Sequence, residues 1–248
     1  MKDKNKNAPI VASNIYRLGA ALRGERKSIL EVAQQVYRFS QALYRFDASQ
    51  FSQFNIDEKV VFRHDAERSC TNEQIIDEIA VHLLDKNKKD IRRYEKETQP
   101  DIHFSREHGF IQSLNTPKEK QLESFWFQLF LGSPDLNTLN VQFPINFKRD
   151  YEWYVGLVKT IIDFFDPTSI KVTPKFMSVM GITATLGWIT YYAKDSQLPT
   201  IPDWMEQDNY DDKGIIISLV KQDISTSKEV YQAYKQKLIE INTTQSEH

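Results

Sequence analysis

The sequence predicts an α+β protein, a mostly antiparallel sheet covered by amphipathic helices. Three observations carry this expectation. Two apolar runs, 124–131 and 138–143, are joined by a turn short enough for an antiparallel hairpin. Two capping boxes, Ser28 with Glu31 and Thr71 with Gln74, open segments with helical spacing of apolar residues. An apolar helix over 150–165 leads tightly into a β-rich run, 169–173, as when a helix packs on a sheet.

Residues 1–12 read as a disordered tail, 13–242 as a single domain and 243–248 as a second tail. Residues 15–22 form the first strand, and Arg23-Gly24-Glu25-Arg26 makes a turn. The first helix then places Ile29, Val32, Ala33, Val36, Phe39, Leu43 and Phe46 on one face. Residues 47–62 form a connection that tucks Phe51, Phe54 and Ile56 against the core. A shorter helix follows, carrying Ile75, Ile76, Ile79 and Leu83. The charged stretch 85–99 reads as a solvated loop or an exposed helix.

Residues 102–114 suggest one strand kinked at Gly109, and 116–121 a polar connector. The run 124–131 is nearly continuous apolar and suits a central strand. Gly132-Ser133-Pro134-Asp135 is a turn by composition. In 138–143, Leu139, Val141 and Phe143 alternate with Asn140 and Gln142, the period of a half-buried strand.

Asp150 is the expected N-cap of the next helix. Tyr154, Leu157, Val158, Ile161 and Phe165 define one face, and Trp153, Ile162 and Phe164 widen it, so cover on more than one side is expected. Asp166-Pro167 ends the helix, since proline disfavours the helical conformation in the residue before it. Strands follow at 169–173, 187–192 and 214–220, with an extended, proline-kinked segment at 198–202. Thr226 and Glu229 cap a last helix that turns Val230, Tyr231, Tyr234, Leu238 and Ile239 inward.

Composition narrows the function classes. The 248 residues are 40% hydrophobic and 12% aromatic, enough for a substantial core. The net charge is -2, from 32 basic and 34 acidic residues, which does not point to nucleic-acid binding. Cys70 is the single cysteine, so no internal disulfide forms and a reducing compartment fits. The charged N-terminus lacks the apolar core of a signal peptide, and no apolar run approaches the roughly 20 residues that span a bilayer. The expected location is cytoplasmic. Glycine is scarce, and no phosphate loop or dinucleotide fingerprint occurs.

The candidate chemistry is thin. His64 and Cys70 suggest a Cys–His pair, but no third group can be placed to orient it, and an inert thiol is the simpler reading. His103, Glu107 and His108 resemble metal ligands, yet on a strand 108 faces away from 103 and 107. The neighbouring Asp211 and Asp212 fit a solvated turn better than acid–base work. The basic residues between Lys86 and Lys96 are interleaved with acids, as on a solvated surface. No catalytic, cofactor-binding or metal-binding residue is therefore expected. The surface candidate is 203–212, where Asp203, Trp204, Glu206, Asp208, Tyr210, Asp211 and Asp212 set aromatic anchors among acids. Its plain alternative is an acidic loop whose Trp204 folds back into the core.

Several short motifs recur in a characteristic order. They are Tyr16-Arg17-Leu18-Gly19-Ala20, Arg26 with the helix from Ser28 to Phe46, and the apolar strand at 125–131. Then come Asn140 to Pro144, the helix closing at Asp166-Pro167, Gly187-Trp188 with Thr190-Tyr191, Leu198-Pro199 and Gly214-Ile215-Ile216-Ile217. In this order the chain resembles the immunity protein 52 family of bacterial polymorphic-toxin systems, over most of 15–220. The charged stretch 85–120 and the C-terminal helix depart from the family pattern. The resemblance implies an antitoxin that binds a cognate toxin of a secretion system, type VI included, often with a restriction-endonuclease-like nuclease domain. It implies no catalytic residues and no cofactor. Two rivals stand beside it: a non-catalytic adaptor or scaffold for an effector, and a small-molecule enzyme with a cleft around His103.

Overall fold

The computed structural model describes residues 16–117, 123–145, 147–175, 177, 184–221 and 228–244. In chain order the elements are β1 (Tyr16–Arg23), α1 (Ile29–Phe46), β2 (Gln53–Ile56), β3 (Val60–Arg63) and α2 (Asn72–Asp90), which runs into a π-helical turn (Ile91–Glu95). Then come β4 (Phe110–Asn115), β5 (Trp126–Leu131), β6 (Leu136–Gln142), α3 (Tyr151–Phe165), β7 (Ser169–Pro174), β8 (Ile189–Ala193), β9 (Glu206–Tyr210), β10 (Gly214–Ser218) and α4 (Lys228–Thr244). The ten strands form one sheet, in the order β3-β2-β4-β5-β6-β1-β7-β8-β10-β9, and every pairing is antiparallel. The expected α+β class and antiparallel sheet are what the chain forms.

Alternation decides which face of the sheet is covered. The register aligns Leu114, Phe127, Val141, Leu18, Val172 and Ile189 in one buried row across six strands. Two positions along the strands, Leu129, Leu139, Ala20, Ile170 and Tyr191 make a second. The residues between them, among them Gln128, Asn140, Gly19 and Lys171, face the other way, the half-polar pattern of an antiparallel sheet. Helices α1 and α3 lie on the apolar face: Phe39 of α1 meets Phe127 of β5 edge-on, and Phe164 and Phe165 of α3 close around Phe39.

The helix starts match the expected caps. Ser28 Oγ accepts from Glu31 N–H, while Glu31 Oε2 accepts from Ser28 N–H at 2.7 Å. That backbone bond, with the Ser28 hydroxyl, holds the Glu31 carboxyl below its usual range. Thr71 and Gln74 repeat the arrangement, and Asp150 accepts from Trp153 N–H. At the other end of α3, Asp166 takes a left-handed conformation (φ 46°).

Three expectations are corrected, and of the two readings of the charged stretch the helix is the one formed. The connection 47–62 contains the β2–β3 hairpin, turned by Asp57 and Glu58, both with positive φ. No glycine marks that turn, so the usual hairpin signal is missing. The run 102–109 is loop, tied by a bridge between Ser28 and Ser105, and the strand begins only at Phe110, after Gly109 turns at φ +61°. The charged stretch extends α2 to Asp90 and continues as the π-helical turn, because fully buried Ile91 anchors it. The last helix continues to Thr244, and Asn242 is buried: its amide accepts from Leu186 N–H and donates to the Leu186 carbonyl. The expected cap residue Thr226 and the tails 1–12 and 245–248 lie outside the described residues.

One buried aromatic group joins β1 and α3 to the start of β8. Trp188 stacks on Tyr16 of β1 at 4.3 Å and meets Tyr154 of α3 edge-on, and its Nε1 donates to the Val220 carbonyl. Trp188 is fully buried. Trp188→Ala therefore lowers stability by about 3–5 kcal/mol, read in urea unfolding as a lower midpoint at unchanged slope.

His64 is also structural. Its ring sits among Tyr37, Tyr44, Phe54 and Phe62. Ser40 Oγ donates to the Tyr37 carbonyl, so His64 Nε2, 2.8 Å away, is the donor of their bond. Burial, reinforced by the charges of Arg68 and Arg45, pushes the imidazole down to about 4 from 6.5. The unfolded chain thus binds this proton first, and the His64 contribution to stability is lost as pH falls from 6.5 toward 4. Unfolding of wild type and His64→Phe across that range checks it: the variant has the shallower loss.

Candidate functional site

The acidic segment 203–212 becomes the free edge of the sheet. Residues 206–210 form β9, which among the described residues pairs only with β10, and Asp211 and Asp212 sit in the hairpin turn between them. Asp211 adopts φ 48°, a left-handed conformation that aspartate tolerates better than most residues. All four residues from Glu206 to Asn209 are exposed, which matches the polar sequence Glu-Gln-Asp-Asn-Tyr. A strand with no apolar row has nothing to bury, so it can stand only at an edge.

The carboxylates divide into two kinds. Glu206 and Asp208 share Lys221, whose Nζ lies 3.3 Å from Glu206 Oε2 and 2.9 Å from Asp208 Oδ2. These bonds raise the Lys221 ammonium above its ordinary value. Asp203, Asp211 and Asp212 are exposed and have no ion pair among the described residues. Unpaired carboxylates are therefore concentrated at the two ends of β9, while between them two carboxylates share one ammonium and keep a single net negative charge.

The aromatic residues also divide. Trp204 is 45% exposed, and the Lys237 ammonium of α4 lies 4.7 Å from its ring centroid. It does not fold into the core; Met205 fills that role, at 4% exposure. Tyr210 leans toward α3 instead. Its hydroxyl donates to Asp163 at 2.9 Å, and Lys213 pairs with the same carboxylate. Burial, with the bond and charge of Asp163, pushes the Tyr210 phenol up to about 12. Between α3 and the hairpin runs a groove of about 280 Å³, lined in part by Glu152, Val155, Lys159, Asp208 and Tyr210. The structure thus brings the seven predicted residues to one edge, with Asp163 and Lys221 as the anchors that sequence reading missed. Nothing in their spacing signals them: Asp163 lies 47 positions from Tyr210.

The other candidates separate. Cys70 is exposed, whereas His64 is turned into its aromatic cage, and no bond joins them among the described residues. His103, Glu107 and His108 are exposed on the loop before β4 rather than on a strand. Among the described residues no three His, Cys, Asp or Glu side chains group as metal ligands. Sequence reading also missed a groove of about 850 Å³ between the β2–β3 turn and α2. There Asp57 Oδ2 accepts from Lys86 at 2.7 Å and lies 3.0 Å from His82 Nε2. Burial alone would raise the Asp57 carboxyl, but these bonds outweigh it and hold it below the usual range. His103 does not line this groove.

No helix among the described residues is long and apolar enough to cross a membrane. No family model matches the chain, and no curated protein matches it. Among solved structures the chain is similar to the Pseudomonas aeruginosa T6SS protein PA0821, with 10% identity and a TM-score of 0.44. That match covers 87% of this chain and 71% of the other. A likeness of this degree carries no argument about function.

Because Asp163 holds both Tyr210 and Lys213, it pins the hairpin to α3. Asp163→Ala should cost at most about 1 kcal/mol of global stability, as befits an exposed pair. It should nonetheless speed amide exchange in β9 and β10 selectively. Unchanged exchange there would show that the hairpin holds without this anchor.

Proposed function

We propose that this chain is a cytoplasmic immunity protein of the immunity protein 52 type. It binds a cognate toxin, a type VI-secreted effector of the nuclease kind, and neutralises it by covering the active site. In this reading the chain itself catalyses nothing. The observation that carries the proposal is the exposed edge strand β9, with Asp203 at one end, Asp211 and Asp212 at the other, and half-exposed Trp204 beside it. A nuclease must present positive charge to its substrate, and clustered carboxylates on a rigid strand attract such a surface and speed encounter. The ordered series of motifs from Tyr16 to Ile217 supports the family assignment.

The unpaired carboxylates are the ones to test, because Asp208 already serves Lys221. The variant Asp203→Lys/Asp211→Lys/Asp212→Lys should still fold, since none of the three has an ion pair among the described residues, with a small loss of stability from lysine in the left-handed conformation at 211. Its affinity for the toxin encoded beside its gene should fall by about tenfold or more, mainly through a slower, less salt-dependent association rate. Cells co-expressing that toxin should lose protection. Wild-type affinity in the triple variant would remove this edge as the binding surface.

A further inference from the structure

The ladder shows which backbone groups β9 leaves over. Lys194 N–H bonds the Lys213 carbonyl and Leu219 N–H bonds the Trp188 carbonyl, so the odd-numbered positions around β10 turn toward β8. Alternation then turns Gly214, Ile216 and Ser218 toward β9, where they face Tyr210, Asp208 and Glu206. Gln207 and Asn209 are left with their N–H and C=O groups pointing away from the sheet. Both residues are exposed, and no side chain bonds to them among the described residues.

We infer that the partner in the proposed function engages this edge by strand addition, contributing a basic extended segment that hydrogen-bonds Gln207 and Asn209. This rests on the toxin-neutralising reading and names how its contact is made. Backbone bonds would supply the alignment, and side chains the choice of partner.

The charge pattern selects the occupant. If β9 paired with a second copy about Asp208, the two Asp208 side chains would be opposed. Pairing about Gln207 would set Glu206 against Asp208. Like charges opposed across strands are destabilising, so the edge rejects itself. A segment with lysine or arginine at its ends meets Asp203 on one side and Asp211 and Asp212 on the other. Between those ends β9 is five residues of extended chain, roughly 15 Å, which an added strand of ordinary length covers.

The test uses the full chain and two synthetic peptides of about seven residues, one alternating lysine and valine, the other glutamate and valine. The lysine peptide should slow amide exchange at Gln207 and Asn209 by about tenfold or more, and the glutamate peptide should not. Asn209→Pro removes one outward N–H at a position where an edge strand tolerates proline, and should abolish the effect at Gln207; Asn209→Ala should keep it. Gln207→Pro, read at Asn209, repeats the test should the first proline variant fail to fold. Unchanged exchange at both amides with excess lysine peptide, or equal slowing by both peptides, overturns strand addition. That result would leave toxin neutralisation standing on its own assay. Protection by the lysine peptide in a chain that binds no toxin would instead sink the neutralising reading and keep the edge site.

Discussion

The register of β1 is the constraint on which the rest of the structure depends. This strand lies between β6 and β7, and its buried residues Tyr16, Leu18, Ala20 and Leu22 alternate with Arg17, Gly19, Ala21 and Arg23. Slipping it by one residue would send every apolar side chain to the polar face, breaking the buried rows on both sides at once. The residues it pairs with, Val141 and Leu139 on one flank and Val172 and Ile170 on the other, lock it from two directions. Tyr16 then meets Trp188 and Tyr154, so β1 also sets where α3 and the start of β8 come to rest.

The two edges of the sheet face solvent under different terms. At one end β3 buries Val60 and Phe62 and is packed against α2. At the other, β9 has no apolar row and stays open along its outer side. Its position is still well determined. β10 supplies the ladder, Lys221 bridges Glu206 and Asp208, and Asp163 holds Tyr210 and Lys213. An exposed strand anchored in this way presents its carboxylates on a fixed frame, which limits the entropy lost on binding.

Much of this architecture was legible in the sequence. Helix starts were readable because caps are local: Ser28 with Glu31, Thr71 with Gln74, and Asp150 satisfy N–H groups only a turn away. The β5–β6 hairpin was readable because its strands alternate and Gly132-Ser133-Pro134-Asp135 separates them. The β2–β3 hairpin was hidden because Asp57 and Glu58 turn it without glycine, held by an Asn55 side chain that accepts from Glu58 N–H. The run 102–109 looked like a strand because Ile102 and Phe104 alternate, yet they pack partly buried as loop residues against the core. The site was legible as a composition, acids around aromatics. That it is a sheet edge, and that Lys221 pairs with both Glu206 and Asp208, was not.

By itself the sequence determined the class of fold, the helix starts, the apolar faces and the acidic segment, because each depends on residues a few positions apart. Tertiary structure alone decided the order of the strands, and with it that residues 206–210 stand at an edge. It also decided that Met205 rather than Trp204 enters the core, and which carboxylates keep their charge unpaired. Those outcomes rest on contacts between residues distant in the chain, such as Asp163 with Tyr210 and Arg23 with Asp195. Such partners are chosen by which surfaces close-packing brings together, and no local spacing encodes them.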